Sequence, residues 1–146
     1  MTATTQILLG SVVLILCSFL HMTLLVSAKT ALLWTAARTR HLRSPFAVFR
    51  PMVIAFSFVL FAHTIQVWFW ALSFVGLGTF SEFSEAIYFA LATYTTVGYG
   101  DVTLEKGARI FGVMAAVTGL LNFGLSTAFL VGVFGSTFVG DKRVVD

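Results

Sequence analysis

An all-α membrane protein is the fold class this sequence predicts: three transmembrane helices plus a short re-entrant helix that runs into an extended loop. Three observations predict it. Of 146 residues, 58% are hydrophobic and only 10% charged, with mean hydropathy +0.96, whereas a soluble domain carries roughly 25% charged residues. Three stretches with at most one charge exceed the ~20 residues a helix needs to cross hydrocarbon; they are Gln6–Ala28, Pro51–Leu77 and Ala108–Val139. A fourth apolar stretch, Ala86–Tyr94, is too short to span and leads into Thr95-Thr96-Val97-Gly98-Tyr99-Gly100-Asp101.

Residues 1–28 form the first span. Val26-Ser27-Ala28 looks like a signal-peptide cleavage site, but no Lys or Arg precedes the apolar run, and that run is longer than a usual signal core. The segment is therefore expected to stay as a helix. Its Cys17 is the single cysteine, so no intrachain disulfide is available.

Residues 29–50 form a basic linker with Lys29, Arg38, Arg40, Arg43 and Arg50. Lys29–Ser44 reads as a short amphipathic helix stopped by Ser44-Pro45. Leu32, Leu33 and Trp34 suit the headgroup zone, and the arginines suit anionic lipid. With Lys142 and Arg143 in the tail (residues 141–146), linker and tail hold seven of the nine basic residues. Two crossings separate them, so both are expected on the cytoplasmic side. The N-terminus and residues 78–107 then face outward in a multi-pass protein of the plasma or inner membrane. The arginine cluster is not read as a voltage sensor, because it lies outside an apolar span.

Residues 51–140 form the main unit. Its outer helix, 51–77, has no charge and carries His63, Thr64 and Gln66 at mid-depth. An ionisable residue there raises a functional hypothesis; for His63 it is proton sensing, set against a neutral imidazole bonded to a neighbouring helix. His21 is a candidate partner, although counting residues places it several ångströms away in depth. Trp68 and Trp70 fit an outer aromatic belt.

The re-entrant helix is placed at 81–95. Ser81 or Ser84 is its expected cap, with Glu82 and Glu85 suiting the helix dipole. Residues 96–101 then become extended, which membrane depth tolerates only where the backbone lines a cavity or is buried in protein. Gly98 and Gly100 allow successive carbonyls to point one way, a geometry costly for other residues. The inner helix is placed at 107–139.

The T-T-V-G-Y-G-D heptapeptide between two spans resembles the filter of potassium channels, whose T-V-G-Y-G carbonyls replace the hydration shell of the ion. The stretch from about Phe56 to Val139 is similar to the pore domain of that family, especially the small bacterial two-helix channels. The resemblance implies a homotetramer that conducts K+ passively. Backbone carbonyls of Thr96, Val97, Gly98 and Tyr99 would coordinate the ion, with the Thr96 hydroxyl as innermost ligand. Val97 and Tyr99 side chains would pack behind the filter, and Gly100, Asp101 and Tyr88 would support it. Gly119, in Gly119-Leu120-Leu121-Asn122-Phe123-Gly124-Leu125-Ser126-Thr127-Ala128, matches a gating hinge, with tight helix packing as the alternative. Leu120, Phe123, Thr127 and Val131 would line the cavity, with Phe134 or Gly135 near the inner crossing. Asn122 would tune the cavity or bond between helices. Gly112, Gly132 and Gly140 read as packing positions. Two departures stand out. Ala92 occupies the place of a pore-helix glutamate that pairs with the filter aspartate, and Tyr88 and Phe89 replace a tryptophan pair. A Tyr88–Asp101 hydrogen bond remains available.

No phosphate-binding glycine loop, metal-ligand cluster or nucleophile–base pair is found, so neither an enzyme nor a cofactor is expected; K+ is the permeant ion. The net charge of +3 is confined to particular segments, which argues against nucleic acid.

Overall fold

Hydrocarbon offers backbone N–H and C=O groups no partners, so a chain this apolar satisfies them within helices. The computed structural model describes residues 1–38 and 49–142, with side-chain surroundings through Ser136. Its elements are α1 (Ala3–Arg38), α2 (Phe49–Gly76), α3 (Phe83–Tyr94) and α4 (Arg109–Lys142), with no strand among the described residues. Helices α1, α2 and α4 are long and apolar enough to cross a membrane. The chain is a multi-pass membrane protein.

The first span does not stop at Ala28. Helix α1 continues through Lys29 to Arg38, so these linker residues extend the spanning helix instead of forming a separate one. Nothing in Lys29–Arg38 breaks a helix: it contains no Gly or Pro, and alanine and leucine are strong helix formers. Arg38 lies over the Trp34 ring, 4.4 Å from its centroid. Arg40, Arg43, Ser44-Pro45 and Arg143 lie outside the described residues.

Helix α1 packs along both α2 and α4. Small residues allow the close approach: Ala28, Ala55, Ala62, Ala71, Ala86, Ala90 and Ala115 are all fully buried. Near its start, Gly10 lies against Met114 and Phe111. Gln6 reaches the beginning of α4, where its Oε1 accepts from the Ile110 N–H at 2.9 Å. Those first-turn amides have no intrahelical partner, so Gln6 caps α4 from another helix. The starts of α1 and α4 thus share one end of the bundle.

At that end Phe74 is surrounded by Phe89, Phe111 and Trp70, with ring centroids 5.2, 5.5 and 5.9 Å away. Trp70 is therefore core and not a belt residue; it is completely buried, while Trp68 is 55% exposed. Two residues on an α-helix are ~200° apart around the axis, so both tryptophans cannot face lipid.

Candidate functional site

Helix α3 starts after Glu82, whose extended backbone forms the cap without a side-chain hydrogen bond. Neither serine caps it; Ser84 already lies inside the helix, and Ser81 precedes the cap by one residue. Glu85 stands in the first turn, where an acid complements the dipole. At the other end the Thr95 N–H bonds the Leu91 carbonyl at 3.0 Å, and the Thr96 N–H bonds Thr93 at 2.9 Å.

Thr96 sits at φ +62°, Gly98 at +49° and Gly100 at +79°. Val97 and Tyr99 are not in the positive-φ region. A backbone that alternates hand at each residue turns successive peptide groups the same way. The two glycines meet this demand easily. Thr96 is β-branched, for which positive φ is a true outlier, and such strain gathers at functional sites. The Gly98 N–H bonds the Ala92 carbonyl at 3.0 Å, tethering the loop to the end of α3. Val97 and Tyr99 side chains are 52% and 75% exposed on the single chain, which leaves them largely uncovered.

Tyr88 donates its hydroxyl to Asp101 Oδ2 at 2.6 Å. That bond holds the Asp101 carboxyl below the usual carboxylate range. Between them, the small Ala92 side chain borders a cavity of about 110 Å³ behind the loop.

On α4, the residues Phe111, Ala115, Thr118, Asn122 and Ser126 are buried. The stripe Leu120, Phe123, Thr127 and Val131 is exposed on the single chain, and Phe134 is half-buried. Gly119 faces the end of α3 so closely that a Cβ would collide with the Tyr94 carbonyl oxygen. Helix α4 runs through it unbroken. Gly112 packs against Leu104 and Phe89, whereas a Cβ at Gly132 would meet nothing within 4 Å among the described residues; the surroundings of Gly140 lie outside the described residues.

His63 belongs to a buried polar ring that draws on all four helices. Its Nδ1 is 2.9 Å from the Tyr94 hydroxyl and its Nε2 is 3.0 Å from Ser126 Oγ. Ser126 Oγ is also 2.9 Å from His21 Nε2. Gln66 Nε2 donates to His21 Nδ1 at 2.7 Å, and the Tyr94 hydroxyl donates to Gln66 Oε1 at 3.1 Å. Asn122 bonds between helices, donating to the same Gln66 oxygen at 2.6 Å. The His21 and His63 rings are 5.0 Å apart, so His21, the candidate partner, does come together with His63. Phe123 stacks on His63 at 4.3 Å, so part of this cavity-stripe residue also covers the ring. Sequence reasoning missed Tyr94 and Ser126; the available signal was polar side chains recurring at one depth in apolar helices.

Three helices long enough to span a membrane thus accompany a short helix and a loop with positive φ at alternate residues, the layout of a channel pore unit. The profile of a family described as "Ion channel" matches residues 52–136, more than half of the chain, and the chain belongs to that family. It is also similar to the "Potassium voltage-gated channel subfamily A member 5" of Oryctolagus cuniculus, Rattus norvegicus and Homo sapiens. In each case identity is 38% over 56 residues, covering 38% of this chain and 9% of the relative. The match thus spans about a tenth of the length of those curated relatives. No solved structure matches.

Proposed function

We propose that the chain is one quarter of a potassium-selective pore that conducts K+ passively. The observation that carries this reading is the alternating backbone at Thr96, Gly98 and Gly100 within the T-V-G-Y-G sequence. Carbonyls aligned along such a loop substitute for the hydration shell of an ion when four copies surround an axis. Helix α3 points its C-terminal dipole at the same place, which favours a cation. The Thr96 hydroxyl and the carbonyls of Thr96, Val97, Gly98 and Tyr99 are the ligands in this reading.

Homotetramer formation is supported by what one chain leaves uncovered. Tyr99, Leu120 and Val131 are 75%, 66% and 65% exposed, and the first needs a neighbour behind the filter. Leu120, Thr127 and Val131 then line the cavity. Lys29, Arg38 and Arg50 lie toward the end opposite Gln6 and Ile110, which supports a cytoplasmic inner end facing anionic lipid. Gly119 is a close-packing position whose hinge role rests on the family resemblance.

Purified protein in liposomes tests the reading through mass and flux. A tetramer that releases K+ but not Na+ supports it. Equal release of both ions identifies a weakly selective cation channel. A tetramer with no flux favours a subunit that conducts only with a partner.

A further inference from the structure

The polar ring has a direction. Gln66 Nε2 can only donate, so His21 Nδ1 accepts and its Nε2 carries the proton. His21 Nε2 then donates to Ser126, and Ser126 donates to His63 Nε2. The His63 proton therefore sits on Nδ1 and is donated to the Tyr94 oxygen. Tyr94 donates to Gln66 Oε1 and closes the circle. The second Gln66 amide hydrogen goes to the Ala62 carbonyl at 3.1 Å, and Asn122 donates to its oxygen. Those two bonds fix the amide orientation and so the sense of the ring. Every donor and acceptor is used once the two imidazoles take opposite tautomers.

The ring joins three things that the chain sequence keeps apart. His21 belongs to α1, which lies outside the outer helix–pore helix–inner helix unit. Ser126 belongs to the inner helix, one side of Gly119. Tyr94 is the last residue of α3, and its neighbours Ala92 and Thr93 hold the Gly98 and Thr96 amides. We propose that α1 is a working part of the pore, with His21 as a positioning residue that, through its bonds to Ser126 and Gln66, orients the His63 and Gln66 bridge between the inner helix and the end of the pore helix and thereby steadies the base of the filter. This rests on the conduction reading for its electrical consequence but not for its structural one.

The test uses full-length protein in lipid nanodiscs and two substitutions of similar bulk. His21→Leu keeps the packing and removes both polar contacts. His21→Gln keeps a donor for Ser126 and an acceptor for Gln66. Amide hydrogen exchange is read at Thr96 and Gly98, whose N–H groups bond the end of α3. His21→Leu is expected to speed that exchange by about three- to tenfold, the range spanned by one interhelical hydrogen bond in a membrane. His21→Gln is expected to restore it. Amides of α2 and of α4 above Gly119 should stay at wild-type rates, which separates positioning from general loosening. Ser126→Ala, which also cuts the bond to His63, should speed exchange at least as much as His21→Leu, and the pair together should do little more than Ser126→Ala alone.

Unchanged filter exchange in His21→Leu with α1 still protected would overturn the proposal, as would failure of His21→Gln to restore it. Where the wild type carries K+ current, His21→Leu should also raise the Na+/K+ permeability ratio. A wild type without current removes conduction by this chain alone, and the exchange data still decide whether the ring positions the filter base.

Discussion

Gly119 of α4 lies against the backbone carbonyl of Tyr94, at the point where α3 ends and the T-V-G-Y-G loop begins. The contact is backbone to backbone, so no side-chain rotation can relieve a larger residue. Gly119→Ala should destabilise the fold by about 1–3 kcal/mol, the usual cost of overpacking. Thermal unfolding in detergent measures it. Gly76→Ala, at a position with open space and ordinary φ, is the control and should change little.

The left-handed backbone makes a second prediction. Gly98→Ala places a Cβ where L-residues lose about 1–2 kcal/mol. Selective flux should fall sharply while helix content by circular dichroism stays at the wild-type value. Retained selectivity would mean that the alternation at 96, 98 and 100 is not what aligns the carbonyls.

Asp101 gives a pH prediction. Its carboxyl is held below the usual range by the Tyr88 hydroxyl. A carboxylate lowered in the folded state adds stability above the ordinary carboxylate range and loses it as pH falls through the lowered value. Tyr88→Phe removes the donor, so the Asp101 midpoint should move up toward the ordinary value. Carboxyl NMR of labelled Asp101 reads the shift directly. An unmoved midpoint would assign the effect to the backbone amides of Asp101 and Val102.

Gln6 tests how α1 is held at its other end. Its side-chain oxygen accepts from the Ile110 amide. Gln6→Leu should cost about 1 kcal/mol, the size of a lost helix cap. Gln6→Glu keeps the acceptor and adds a charge suited to a helix N-terminus, so it should retain most of the stability. Thermal melts of the three proteins rank them.

The spans and the alternating backbone at 96, 98 and 100 were legible because both signals are local. Apolar length announces a crossing helix, and glycines at alternate positions announce a backbone of alternating hand. Helix limits were less legible. Lys29–Ser44 read as a new amphipathic helix because the charges begin there, yet charge at a membrane surface does not interrupt backbone hydrogen bonding, and as far as Arg38 the residues continue α1. Trp70 looked like a belt residue by its neighbourhood to Trp68, but helical rotation turned it into the aromatic core. The polar ring was half visible. His63, Gln66 and Asn122 stand out as polar groups in apolar helices, whereas Tyr94 and Ser126 enter through tertiary packing that no single helix encodes. The missing pore-helix glutamate was read from Ala92, and the structure puts a cavity beside it while Tyr88 bonds Asp101.

The most direct measurement is the reversal potential of the purified protein in a planar bilayer, with K+ on one side and Na+ on the other. A working filter at Thr96–Tyr99 predicts a reversal near the potassium equilibrium potential. A clear current that reverses near zero would contradict it.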